Sequence, residues 1–251
     1  MTAAVEIFDD LAAEQDRIEK LLAALDDEAW TSPSAAAGWS VADVVLHLAQ
    51  TEETVVASVG GISLAEMLPA SVAGMTTMDQ IMDQWVCAER GSPAATFDRW
   101  RRARRVALGA LRAADPATPL PWAAAPLRPT TLATTRLAEH WAHALDIVVP
   151  LNLELPDTDR LRHVAWLAHQ SLPYGFALVA EQPHDVYCEL TAPDGVTLWT
   201  YGEPHAESHI TGTAGAFCRV GARRLAPESS GLLATGPHGP AALRALRNYA
   251  E

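Results

Sequence analysis

Apolar residues return at every third or fourth position through most of the first 150 residues, and that period confines the chain to amphipathic helices packed face to face. Val5, Phe8, Leu11, Ala12, Ile18, Leu21, Leu22 and Leu25 predict a helix over 4–27, which TSPSAAAGWS punctuates. Ser40, with Asp43 three positions on, is a helix N-cap signature. It opens a second helix carrying Val41, Val44, Val45, Leu48 and Val55, which ends at Gly60-Gly61. A third helical region follows Gly74, breaks near Gly91-Ser92-Pro93 and resumes through FDRWRRARRVALGALRAAD. Five prolines between Pro116 and Pro129 then mark an irregular connection, and a fourth helix is predicted from Thr130 to Val149. Four long helices with long connections predict a four-helix bundle.

The texture changes after Pro156. LRHVAWLAHQSLPYGFALVA reads as a helix interrupted at Pro173. DVYCEL and VTLWTY alternate with a period of two, and Asp194-Gly195 between them signals a hairpin. HITGTAGAFCRVGARR starts as a strand and turns into a helix, and GPAALRALRNYAE closes the chain as a short helix. The predicted fold class is therefore α+β and mainly α: a helical bundle over 1–155, then a smaller α/β domain over 156–251.

Composition narrows the function. Asp and Glu number 31 against 18 Lys and Arg, a formal charge of -13, so phosphate backbones and anionic lipids are repelled and neither nucleic acid nor membrane partners are expected. A small-molecule substrate is the expected partner. Cys87, Cys188 and Cys218 are too few and too widely spaced for a disulfide framework or a thiolate zinc site. With no signal-peptide pattern at the start, they predict reduced, buried thiols in a cytoplasmic protein.

Chemistry concentrates in two helices. In LAEHWAHALD, Glu139 and His143 are four residues apart, so they share one helical face. In VADVVLHLAQ, His47 stands among Val44, Val45 and Leu48 on or beside the face that should point inward. Two imidazoles and a carboxylate drawn from facing helices make a bundle-core metal site. Three protein ligands leave a coordination position open, as catalytic zinc sites do. The mixed nitrogen and oxygen set also suits nickel, manganese or iron(II). His140 leaves an alternative open, since it neighbours His143 and could replace Glu139.

GWSVADVVLHLAQTEE, with its Trp–Ser–x–x–x–Val–x–x–His–Leu pattern, and RLAEHWAHALDI resemble the DinB-like superfamily, in particular the mycothiol-dependent maleylpyruvate isomerase branch of actinobacteria. VYCELTAPDGVTLWTYGEPHAESHITGTAGAFCRVGARR resembles the C-terminal unit of metal-binding members, so the resemblance spans nearly the whole chain. It implies a DinB-like bundle and a zinc ion held by His47, Glu139 and His143. It also implies a low-molecular-weight thiol such as mycothiol as cosubstrate, in S-transfer or isomerisation of a small electrophile. A C-terminal arginine binds substrate in the family isomerase; Arg219, Arg223 and Arg224 are the candidates here, because an Arg fork matches a carboxylate.

The same ligands would also serve a thiol-independent metal catalyst, a hydrolase or a secondary-metabolite tailoring enzyme, and a non-catalytic metal- or ligand-binding module is the third reading. Gln50 and Asp146 are candidates to orient a ligand imidazole. The arginine run from Arg99 to Arg105 reads as a solvated face paired with acids, and Trp39, Trp85, Trp100, Trp122, Trp141 and Trp166 as packing residues. His205 and His209 lie in a loop-to-strand region where four-residue spacing brings no convergence, so no metal is assigned to them.

Overall fold

The computed structural model describes residues 3–123 and 125–249, with side chains from Glu6 onward; the Val5 side chain lies outside the described ones. The chain divides into two compact units, one ending at Leu155 and the other covering Pro156–Tyr249.

In the first unit, α1 (Ala3–Ala23) is followed by a short α2 (Asp27–Thr31). The periodicity had suggested one helix to residue 27. The break comes at Asp26, whose carboxylate accepts from the Ala29 N–H at 2.8 Å and opens a new helix. α3 (Val41–Val59) begins with a full capping box: the Asp43 N–H donates to Ser40 Oγ at 3.2 Å, and the Ser40 N–H donates to the Asp43 carboxylate at 2.9 Å. α4 (Leu64–Met67) and a 3-10 turn at Ala70–Val72, neither signalled by periodicity, lead into α5 (Met78–Glu89). α6 (Pro93–Ala113) is capped by Ser92 with Pro93 in its first turn, and α7 (Pro129–Val148) likewise starts on a proline.

The four long helices α1, α3, α6 and α7 close a ring in which α1 packs on α7, α7 on α3, α3 on α6 and α6 on α1. Ile18, Leu22, Val41, Val44, Val45, Leu48, Trp100, Ala144 and Ile147 form the core, none more than 1% exposed. Each full-sized aliphatic side chain buried there contributes on the order of 1.5–3 kcal/mol. α3 is enclosed around most of its circumference, which places even its polar residues inside the protein. Three arginines of the α6 run pair with acids as expected, Arg99 with Glu53 and Glu89, Arg101 with Glu19, and Arg104 with Asp16 and Glu19, but Arg104 is buried rather than solvated.

In the second unit, α8 (Leu161–Gln170) and α9 (Leu172–Leu178) meet at the predicted interruption, with Pro173 in the first turn of α9. β1 (Val186–Thr191) and β2 (Leu198–Tyr201) form the predicted antiparallel hairpin, and Gly195 supplies its left-handed residue at φ 74°. β3 (Ser208–Thr213) runs into α10 (Ala214–Gly221). β4 (Leu233–Thr235) is an edge strand too short for periodicity to reveal, and α11 (Gly239–Ala245) follows. The sheet order is β2-β1-β3-β4, with β1 and β3 parallel. Val186, Cys188 and Leu190 alternate inward from β1, and α8 and α10 pack together beside the sheet. No helix of the described residues is long and apolar enough to cross a membrane. Cys188 and Cys218 are buried free thiols, with burial pushing Cys188 up to about 12, whereas Cys87 is exposed rather than buried.

Candidate metal centre

His47 lies in the middle of α3, and Glu139 and His143 lie one turn apart on α7. Packing of the two helices sets the His47 and His143 rings edge to face with centroids 4.9 Å apart. His143 Nε2 is 3.4 Å from Glu139 Oε2. One donor atom from each of the three residues falls within 4.8 Å of the other two. A small side-chain rotation brings such a set onto a zinc ion with bonds of about 2.0–2.2 Å. The side chain of His143 is 13% exposed and that of Glu139 25%, whereas His47 is 7% exposed, so the trio opens outward on the Glu139 side.

The electrostatics favour a cation. Burial, then the adjacent His143, pushes His47 down to about 3, which leaves the neutral imidazole a metal ligand must be. Burial opposes ionisation of Glu139, but its hydrogen bond and charge interaction with His143 outweigh that and hold the carboxyl well below its ordinary value. His143 is pulled up despite burial, because Asp146 and Glu139 both favour positive charge there. Its Nδ1 lies 2.9 Å from Asp146 Oδ2, and Asp146 is 2% exposed. That hydrogen bond orients the ring and leaves Nε2 facing Glu139. His47 Nδ1 is enclosed with no hydrogen-bond partner among the described residues, a costly state for a ring nitrogen unless a ligand meets it. These observations fit a divalent cation held by His47, Glu139 and His143.

His140 is committed elsewhere. Its Nδ1 donates to the Arg136 carbonyl at 2.8 Å, so Nε2 is the acceptor and takes the Trp100 indole N–H at 3.2 Å. Both ring nitrogens are satisfied, and the alternative pairing of His140 with His143 is not the one the fold assembles. Of the two candidate orienting residues, Asp146 reaches His143, while the Gln50 amide donates to the Trp85 carbonyl and the Glu89 carboxylate.

Trp39 packs against the bundle core, as its sequence setting predicts, and it also flanks the trio, with ring centroids 5.1 Å from His47 and 6.5 Å from His143. Its indole N–H donates to Asp83 on α5 at 2.9 Å. Trp166 is 38% exposed rather than buried, because it lies on the outer face of α8. The three candidate arginines of the second unit do not share one setting. Arg219 forks onto Asp157 at 2.7 and 2.9 Å, Arg223 is exposed with φ 61°, and Arg224 donates to the Ala222 carbonyl at 2.7 Å.

Residues 11–148 match the model of the mycothiol maleylpyruvate isomerase N-terminal domain, more than half of the chain. Two uncharacterized proteins of Mycobacterium tuberculosis, MT0041 and Rv0036c, are each 31% identical over 230 residues, covering 90% of this chain and 88% of theirs. Crystal structures of the mycothiol-dependent maleylpyruvate isomerase and of a mutant of it superpose with TM-scores of 0.63 and 0.62. Each match covers 93% of both chains at 14% identity, so that likeness is one of fold. The chain therefore belongs to the mycothiol maleylpyruvate isomerase family of DinB-like helical-bundle proteins.

Proposed function

We propose that the protein is a metal-dependent enzyme, zinc first among its metals, which uses a low-molecular-weight thiol such as mycothiol for isomerisation or S-transfer on a small electrophile. The observation that carries this reading is the convergence of His47, Glu139 and His143 from two helices into a set open on one side. A zinc ion bound there supplies a Lewis-acid centre that lowers the pKa of a thiol beside it.

The chain's own residues have definite tasks in this reading. Neutral His47 and ionised Glu139 serve as ligands without first losing a proton. Asp146 holds a proton at His143 Nδ1 and keeps Nε2 for the ion. Trp39 walls the site with an apolar face and restricts water. Arg219, Arg223 and Arg224 are the proposed contacts for a substrate carboxylate. A thiol that adds across an activated double bond, allows rotation and leaves again returns itself unchanged, so isomerisation needs no oxidant.

The test is turnover of maleylpyruvate and of a panel of small unsaturated acids and other electrophiles by the zinc-loaded protein, with and without mycothiol. The expected result is turnover that requires the thiol and is lost in His47→Ala. Turnover indifferent to mycothiol overturns the thiol role, and solvent oxygen appearing in product identifies a hydrolase instead.

A further inference from the structure

Arg136 and Glu52 form an ion pair inside the bundle, 2% and 0% exposed, with Arg136 Nε donating to Glu52 Oε1 at 2.9 Å. Removing two such groups from water carries a heavy desolvation penalty, and apolar residues of similar volume often serve stability as well or better. Glu52 Oε2 adds to the cost, being buried with no hydrogen-bond partner among the described residues. Stability therefore gives no ready account of why an ion pair stands here in place of apolar residues.

Arg136 stands on α7 one turn before Glu139. Its Nη2 donates to Thr51 Oγ1 at 2.7 Å, and Thr51, on α3 one turn after His47, donates its hydroxyl to the His47 carbonyl at 2.9 Å. A second tie leaves the backbone of Arg136: its carbonyl accepts from His140, whose other nitrogen accepts from Trp100 on α6. One guanidinium thus spans the two ligand-bearing helices at the level of their ligands and reaches the backbone of His47 through a single hydroxyl.

We propose that the Arg136–Glu52 pair is a strut that fixes the separation and register of α3 and α7, and thereby the metal-binding geometry of His47, Glu139 and His143. This rests on the metal reading of that trio. Donor atoms must be held within about 0.5 Å of productive positions, a tolerance apolar contacts on a helix face do not impose, whereas a two-pronged Arg does. Arg136 and Glu52 act through the ligands and are positioning residues. The Arg136 charge also acts on His47 and Glu139, and taking it away lessens repulsion of a cation, so weaker zinc binding in the double variant reports geometry rather than field.

The test compares the full-length protein with Arg136→Met/Glu52→Leu and with Arg136→Lys, which keeps the charge and loses the fork. Three quantities are read: apo thermal midpoint, zinc affinity by chelator competition, and the visible spectrum of the cobalt(II)-loaded protein, which reports coordination geometry. The double variant is expected to unfold at or above the parental temperature, bind zinc 10–100-fold more weakly and show a changed cobalt spectrum. Arg136→Lys is expected to move affinity and spectrum the same way by a smaller amount, and it decides the matter if the double variant does not fold. A folded variant with parental zinc affinity and an unchanged cobalt spectrum overturns the strut while leaving the metal site standing. A parent chain that takes up no stoichiometric zinc removes the metal reading, and the strut with it.

Discussion

His143 Nδ1 and the buried carboxylate of Asp146 lie 2.9 Å apart, one turn of α7 from each other, and this contact decides which imidazole nitrogen faces Glu139. Asp146→Asn keeps the volume but replaces the ionised acceptor, so the preference for a proton at Nδ1 falls. Zinc affinity is expected to drop 10–100-fold in chelator competition, with the fold retained by circular dichroism.

His47 and His140 are both buried histidines of the bundle, and their replacements are expected to behave in opposite ways. His47→Ala removes a proposed ligand, so elemental analysis should show loss of stoichiometric zinc. His140→Ala should retain zinc but leave the buried Trp100 N–H unpaired, lowering stability by at least ~1–3 kcal/mol in urea titration.

Metal and fold are linked wherever an ion binds only the native state. Zinc at 100 times its dissociation constant should stabilise the protein by about 2.7 kcal/mol, and a chelator should reverse the gain. Glu139→Gln should abolish most of this response in differential scanning calorimetry while leaving the apo midpoint close to parental.

Asp43 gives acid sensitivity away from the proposed metal ligands. Burial raises its pKa, but Arg90 Nε at 2.8 Å and the Ser40 N–H and hydroxyl, both at 2.9 Å, outweigh this and hold it below its ordinary value. A depressed folded pKa means the contribution is complete above the unfolded value of about 3.9 and is lost as pH falls through the folded one. Asp43→Asn should therefore cost about 1 kcal/mol at pH 7, a modest figure because Arg90 is half exposed, and progressively less below pH 4. Urea midpoints across that range check it.

Alanine replacements at Arg219, Arg223 and Arg224 should separate substrate binding from metal binding. The one that meets a substrate carboxylate should raise KM about tenfold or more with zinc affinity unchanged. Arg219→Ala also strips Asp157 of its bidentate partner, so its unfolding midpoint must be measured beside its kinetics.

The helical period, the Ser40–Asp43 cap, the Asp194-Gly195 turn and the prolines made the bundle and most elements of the second unit legible, because local steric and hydrogen-bonding rules act over three or four residues. The four-residue spacing of Glu139 and His143 was legible for the same reason, and His47 could be placed on an inward face. Which residues meet across helices was not. The choice between His140 and Glu139 turned on Trp100, forty residues away on another helix. The setting of Trp39 depended on Asp83, and the pairing of Arg136 with Glu52 joined helices 84 residues apart. Sequence by itself determined the rods and the chemical types they carry. Tertiary structure alone decided which of those groups converge, because convergence depends on interhelical register, which no local period encodes.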